Sequence, residues 1–320
     1  MHRIGIIGGG EIGQSHIERI RKIPDFEFAG IFDFDINETK RIQQKYQIPY
    51  FKSIDELIDQ SDIVDITSSD VPHFEMASRA LRKSRHVFID RPLMGSLAEA
   101  RKLVDLAFEA DVKVQIGNVE RFKSAFTLAH KHIYQPSYIE ARRLLPLSST
   151  ISQQHVVLDM MIHDIDIVLS LVNSGIKRIQ ARGHIITDNN LEMVNAHIEF
   201  DNGCIANLTS SKMAQEASSI MQVYQDDRSF LIDFTNNNVQ QILSSSNGQH
   251  KRSPLSLKAK NLDPLQSELE SFQRSISNNT IPSVSIVDGS NALEVAFSIL
   301  DKLEHWQGVN ISKLKYGNRF

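Results

Sequence analysis

Short apolar runs alternate with amphipathic stretches through the first third of the chain. Arg3–Ile7, Glu27–Phe32, Ile63–Thr67, His86–Ile89 and Lys113–Ile116 are brief and rich in Ile, Val or Phe, as parallel strands covered on both faces should be. Between them, Leu97, Ala100, Val104 and Ala107 repeat at the three-and-four spacing of one helix face. Strand, helix and strand with short connections predict a doubly wound parallel α/β sheet over residues 1–119.

The pattern changes near residue 120. A helix over 121–134 is expected to lead to a strand at Tyr138–Leu144, a polar loop "PLSSTISQQ", and a second helix. Strand-like runs follow at Arg178–Ile186, Val194–Phe200, Cys204–Ser210, Ile220–Tyr224 and Phe230–Phe234. "FDNGC" reads as a hairpin, because Asn-Gly supplies the positive φ of a tight reversal. Residues 244–262, rich in Ser, Asn and Lys, read as an exposed loop, and helices over 263–278 and 288–305 close the chain. Residues 120–320 are thus expected to form an α+β domain with a large open, mainly antiparallel sheet. Strands such as "AHIEF" and "CIANLTS" alternate apolar and polar, so one sheet face stays available for a partner copy.

A length of 320 residues suits two domains. The net charge of −4, with both signs interspersed, lacks the electrostatic footprint of a nucleic-acid binder. The one cysteine, Cys204, excludes an intramolecular disulfide and a thiolate metal cluster. No apolar run approaches the length of a secretory signal or a membrane span, so the cytoplasm is the expected compartment.

Two places carry candidate chemistry. "IGIIGGGEIGQSHI" sets Gly8, Gly10 and Gly13 in a G-x-G-x-x-G pattern between the first strand and a helix. In that context Gly8 permits the tight turn, Gly10 admits a pyrophosphate, and Gly13 lets helix and strand pack closely. Free N–H groups at the helix start then meet the anion. Asp33 ends the second strand, where a carboxylate can accept from both ribose hydroxyls and would repel a 2′-phosphate. No basic residue follows before Lys40, so NAD is favoured over NADP.

The second place is "VLDMMIHDIDIVLSL". On a regular helix Asp159, His163, Asp166 and Ser170 fall within a sector of about 60°. Histidine is the side chain best placed to exchange a proton near neutral pH, and a carboxylate one turn away would orient it. The alternative is a pair of solvated acids with His163 as their partner. A divalent metal is not expected: adjacent His163 and Asp164 point about 100° apart, and no second ligand cluster accompanies them.

Together these stretches resemble the Gfo/Idh/MocA family of two-domain NAD(P)-dependent sugar and cyclitol dehydrogenases. The resemblance spans the glycine pattern, "TSSDVPHFEMASRAL", "HVFIDRPL", "DMMIHDID", the "FDNG" hairpin and the helical C-terminus. It implies cofactor contacts from Gly8, Gly10, Glu11, Ile12 and Gly13, with Asp33 at the ribose. Thr67, Ser68 and His73 from the second motif, and Asp90 and Pro92 from the third, complete that set. Where the family has Glu-Lys-Pro, this chain has Asp90-Arg91-Pro92. Arginine keeps its charge and offers a planar fork, so Arg91 can stabilise an oxygen but cannot relay a proton. The acid–base step then falls to His163, with Asp159 positioning substrate or imidazole.

"QIGNVERFKSAF" resembles a stretch of the UDP-N-acetylglucosamine 3-dehydrogenase-like group, with Asn118 in place of a histidine and Lys123-Ser124 in place of Asn-Pro. It implies a nucleotide-sugar substrate and places Arg121 toward a substrate phosphate or, alternatively, in a pair with Glu120. Free sugars and cyclitols are the runner-up substrates. A NAD-binding sensor or scaffold without turnover is the alternative of another class. The family also implies a homodimer or homotetramer built through the C-terminal sheet.

Overall fold

The computed structural model describes residues 1–68, 73–90, 95–146, 155–185, 191–244, 250–254 and 262–307. These fall into two compact units, Met1–Val119 with Asp263–Ser290, and Glu120–Leu262 with Asn291–Phe320.

The first unit carries five strands, β1 (His2–Ile7), β2 (Phe26–Phe32), β3 (Ile63–Ile66), β4 (His86–Ile89) and β5 (Val114–Ile116). They pair in the order β2-β1-β3-β4-β5, all parallel. The expected strands are therefore present, and their apolar runs are buried as a sheet covered on both faces requires. Helices α1 (Glu11–Ile20), α2 (Ile36–Tyr46), α3 (Ile54–Asp59), α4 (His73–Arg82) and α5 (Leu97–Glu109) connect them. Local chemistry sets several helix starts. Asp35 accepts from Asn37 N at 2.8 Å, Ser53 from Glu56 N at 3.2 Å, and Ser96 from Glu99 N at 3.3 Å. Ser53–Glu56 and Ser96–Glu99 also have the spacing of capping boxes.

Residues 120–262 supply the sheet of the second unit. A 3-10 turn, Val119–Phe122, and α6 (Ser124–His130) occupy the single helix expected over 121–134. They are separated at Lys123, whose ψ of 137° is extended. β6 (Tyr138–Pro146) precedes a π-helical turn, Val156–Met161, which runs into α7 (Ile162–Val172). Then come β7 (Ile176–Ile185), β8 (Leu191–Phe200), β9 (Ile205–Ala214), β10 (Ser218–Gln225), β11 (Arg228–Asp233), β12 (Asn238–Ser244) and β13 (His250–Pro254). The eight strands order as β13-β12-β11-β10-β6-β9-β8-β7, antiparallel except for the β6–β9 pair. Alternating burial along β8 and β10 gives the sheet one covered and one partly open face.

Three local expectations change. In the β8–β9 hairpin only Gly203 takes a positive φ, of 88°. Asn202 instead accepts the Cys204 N–H through its side chain at 3.0 Å. β12 and β13 extend the sheet into the stretch expected as a loop over 244–262. β13, "HKRSP", is a polar edge strand held to β12 by main-chain pairing, and has no apolar signature to read. Helix α8 (Pro264–Ser277) belongs with the first unit although it follows the second in sequence. Its cap Asp263 accepts from Arg19 Nε at 2.9 Å, and Phe272 meets Phe88 edge-on at 5.8 Å. The long closing helix α9 spans Ile286–Gln307. Most of the expected loop 146–154 and part of 244–262 lie outside the described residues.

Candidate active site

The glycine turn is built by exclusion on two sides and openness on the third. Gly8 has φ +112°, and a Cβ there would come within 2.6 Å of Ser68 N. A Cβ at Gly13 would stand 2.0 Å from the Gly8 carbonyl oxygen, so helix α1 can pack this closely only without a side chain. At Gly10 a Cβ would meet nothing within 4 Å. Gly10 also caps α1 without any side-chain hydrogen bond. The first-turn N–H groups of Glu11, Ile12 and Gly13 have no helical carbonyl to bond, and both Glu11 and Ile12 are exposed. This is an anion cradle of the kind a helix dipole favours.

Asp33 lies at the end of β2 as expected. Its Oδ2 accepts from Gly9 N at 2.6 Å and its Oδ1 from Asp35 N at 2.9 Å, which holds the carboxylate against the glycine turn. Thr67 faces inward: its hydroxyl donates to the carbonyls of Ile7 and Gly8 at 3.2 and 3.1 Å. It thus shapes the turn from below. Buried His73 donates from Nε2 to the Ser68 carbonyl. Its Nδ1 is buried with no hydrogen-bond partner among the described residues. Asp90 ends β4, its N–H bonded to Ile66 O at 2.9 Å. Arg91 and Pro92 lie outside the described residues.

A buried charge pair that the sequence reading missed sits beneath the glycine turn. His16 Nδ1 is 2.8 Å from Asp65 Oδ2, and both side chains are almost fully enclosed, at 2% and 0% exposure. Burial by itself would drive the imidazole toward neutrality. Asp65, with Asp90 and Glu268 behind it, outweighs that and raises its pKa to about 9. The available signal was an acid inside the apolar run "IVDI", facing a histidine on the buried side of α1.

In the second unit the regular-helix projection fails at its N-terminal end. Asp159 lies in the π-helical turn, whose i→i+5 pattern breaks the 100° spacing that placed it beside His163. Its carboxylate accepts from His155 N at 2.6 Å. Half-buried His163 lies in the first turn of α7. Asp166 is not a solvated helix-face acid, since it is buried and clamped by Arg121. Arg121 Nε and Nη2 reach its two oxygens at 2.7 and 2.8 Å. Arg121 therefore pairs with Asp166, neither of the two partners weighed for it from the sequence. Arg143 grips Asp164 in the same forked manner at 3.0 and 2.8 Å and reaches Glu120 at 3.1 Å. His155 caps the π-helical turn, its Nδ1 accepting from Val157 and Leu158 N at 3.2 Å each. Burial pushes its pKa down to about 4.

Residues 2–118 match the family model described as an oxidoreductase family with an NAD-binding Rossmann fold, and residues 115–236 match the Gfo/Idh/MocA C-terminal domain. The UDP-N-acetylglucosamine 3-dehydrogenase of Acidithiobacillus ferrooxidans is 30% identical over 236 residues, covering 73% of this chain and 75% of that one. The chain belongs to the Gfo/Idh/MocA oxidoreductases. A solved structure of that Acidithiobacillus enzyme superposes with a TM-score of 0.90 at 26% identity, over 95% of this chain and 98% of the other. Myo-inositol 2-dehydrogenase of Thermotoga maritima is 23% identical, over 98% and 99% of the two chains.

As a Gfo/Idh/MocA protein the chain is an NAD(P)-dependent dehydrogenase acting on CH–OH groups. Its residues fit the dinucleotide. Gly10 leaves room for the pyrophosphate against the N–H groups of Glu11 and Ile12, and Asp33 can accept from the ribose. Bound there, the nicotinamide supplies the hydride acceptor or donor.

Proposed function

We propose that this oxidoreductase uses NAD to oxidise a ring hydroxyl of a nucleotide sugar such as UDP-N-acetylglucosamine, at its 3-OH. The preference for NAD rests on Asp33. Its carboxylate, held at the glycine turn by Gly9 N, would repel a 2′-phosphate. The substrate class rests on the whole-chain likeness to the Acidithiobacillus enzyme, which is the observation that carries the proposal.

In this reading His163 takes the hydroxyl proton as the carbinol C–H leaves as hydride, so that the alcohol becomes a ketone. Asp159 positions substrate from the π-helical turn, and Arg91 stabilises the negative charge that develops on oxygen. Ser68, Asp90 and Pro92 border the cofactor, with His73 supporting Ser68. Arg121 is not assigned to a substrate phosphate here, because its fork is committed to Asp166.

The test is formation of reduced nicotinamide from NAD with a panel of UDP-sugars, hexose phosphates and inositols. UDP-N-acetylglucosamine should be turned over best, and His163→Ala should abolish turnover while leaving NAD binding in place. Activity surviving in His163→Ala would sink the acid–base assignment. Turnover confined to inositols would transfer the reading to cyclitols, which the likeness to the Thermotoga enzyme favours.

The open face of the eight-stranded sheet suits a second copy of the chain. Its β6 and β10 residues Tyr138 and Tyr224 meet at 5.7 Å, and Tyr224 is 37% exposed. A homodimer or homotetramer is the assembly expected in sedimentation. No helix of the described residues is long and apolar enough to cross a membrane, and the cytoplasm remains the proposed compartment.

A further inference from the structure

The signature His163-Asp164-Ile165-Asp166 places two acids beside the proposed acid–base group, and neither is disposed for chemistry. Both carboxylates are buried, Asp164 at 3% and Asp166 at 1% exposure. Each is bound by a two-pronged guanidinium. Arg121 approaches from the 3-10 turn, with a further bond from Nη2 to the Asp166 carbonyl at 3.2 Å. Arg143 approaches from β6 and is tied at its other end to Glu120, which also meets Lys123 at 2.9 Å. Burial raises the Asp164 pKa against the opposing pull of Arg143.

The directions of the two grips matter. With about 100° per residue, Asp164 lies about 100° to one side of His163 and Asp166 about 60° to the other. The clamps therefore bracket the imidazole. A single surface ion pair would let the helix roll and would contribute little. Two enclosed, bidentate pairs on opposite flanks of one turn add directional constraints to the apolar packing of Ile165, Val168 and Val172. The π-helical turn immediately before α7 has a wider pattern and cannot impose the register of a regular helix. Buried ion pairs of this kind add little stability over apolar packing, which leaves geometric definition as what they provide.

We propose that Arg121 and Arg143 are positioning residues for the dehydrogenase reaction, fixing the azimuth of α7, and so the direction of His163, by gripping Asp166 and Asp164. The proposal rests on the reading of His163 as the acid–base group.

The test combines kinetics with a direct view of the imidazole. In protein labelled with 15N-histidine, the His163 resonance is assigned by its loss in His163→Gln. In Arg121→Ala that resonance should move or broaden; His130, which also feels the Arg121 charge, should shift as well, while the other ten of the 12 histidines keep their positions. With UDP-N-acetylglucosamine, kcat should fall by about tenfold or more and KM by less than about twofold, as misdirection of one group predicts. Added guanidinium ion should return part of the kcat and the original resonance. Arg121→Lys, which keeps the charge but not the fork, should behave like Arg121→Ala. An unmoved His163 resonance in Arg121→Ala, or full kcat in Arg121→Lys, overturns the proposal. If Arg121→Ala does not fold, Arg121→Lys and Asp166→Asn answer through the same resonance, and failure of all three to fold overturns it by making the pair a requirement of the fold. Should the wild type turn over no sugar while the resonance still moves, the clamp stands and the functional reading falls.

Discussion

Raising the pH should unload the buried pair beneath the cofactor turn before it harms the rest of the first unit. The folded-state pKa of His16 is about 9 against 6.5 for an ordinary histidine. Below pH 6.5 the imidazole is charged in both folded and unfolded chains, and the pair contributes fully. Between 6.5 and 9 the unfolded chain releases its proton while the folded one retains it. Folding then requires proton uptake, so stability declines as pH rises through that window. A gap of 2.5 between the two pKa values, at about 1.4 kcal/mol each, makes the loss about 3 kcal/mol. His16→Gln removes the titration. Near neutral pH it should destabilise the first unit by about 3 kcal/mol or more, because Asp65 then lies buried beside a neutral partner. Its stability should be flat where the wild type declines.

Amide exchange of peptides from α1 and β3 reads this unit alone, once corrected for the base catalysis of exchange itself. The imidazole resonance of His16 gives the titration directly. Parallel pH curves for wild type and His16→Gln, or a His16 midpoint at or below 6.5, would refute the reasoning. Function is linked to the same event. α1 carries the first-turn N–H groups of the anion cradle, so NAD affinity should weaken over the same pH range.

Two glycine substitutions should separate binding from folding. Gly13→Ala drives a methyl to 2.0 Å from the Gly8 carbonyl and should lower the melting temperature sharply. Gly10→Ala meets nothing in the apo protein, so it should cost under about 1 kcal/mol of stability yet weaken NAD binding by about tenfold or more; equal loss of stability in both variants would contradict this, by calorimetry and cofactor titration. On the acid side, the depressed pKa of His155, about 4, means the unfolded chain takes up a proton between pH 6.5 and 4 that the folded chain refuses. Stability should therefore fall as pH drops through that range, and His155→Asn, which can still cap the π-helical turn, should lessen the fall in urea titrations.

Much of this was legible in the chain. The five apolar runs of the first unit have only one economical arrangement, a parallel sheet covered on both faces, because no polar side remains to meet water. Gly8, Gly10, Gly13 and Asp33 could be placed because local backbone constraints are written in local residues. The eight-stranded sheet was readable from β6 to β11, with the alternation clearest in β8 and β10. The edge strand β13 is polar in sequence and is held by backbone bonds, which leave nothing in the chain to read.

What the sequence by itself determined is the order of elements and the chemistry of their ends: a glycine turn into α1, an acid after β2, a histidine in α7. Only the tertiary structure decided which charges meet. His16 found Asp65, Arg121 found Asp166, and Arg143 found Asp164 across separations of 49, 45 and 21 residues. Buried charges must be matched, and many pairings satisfy that condition on paper. Which one occurs depends on side-chain directions set by packing, including a π-helical turn that shifts Asp159 off the regular helical face.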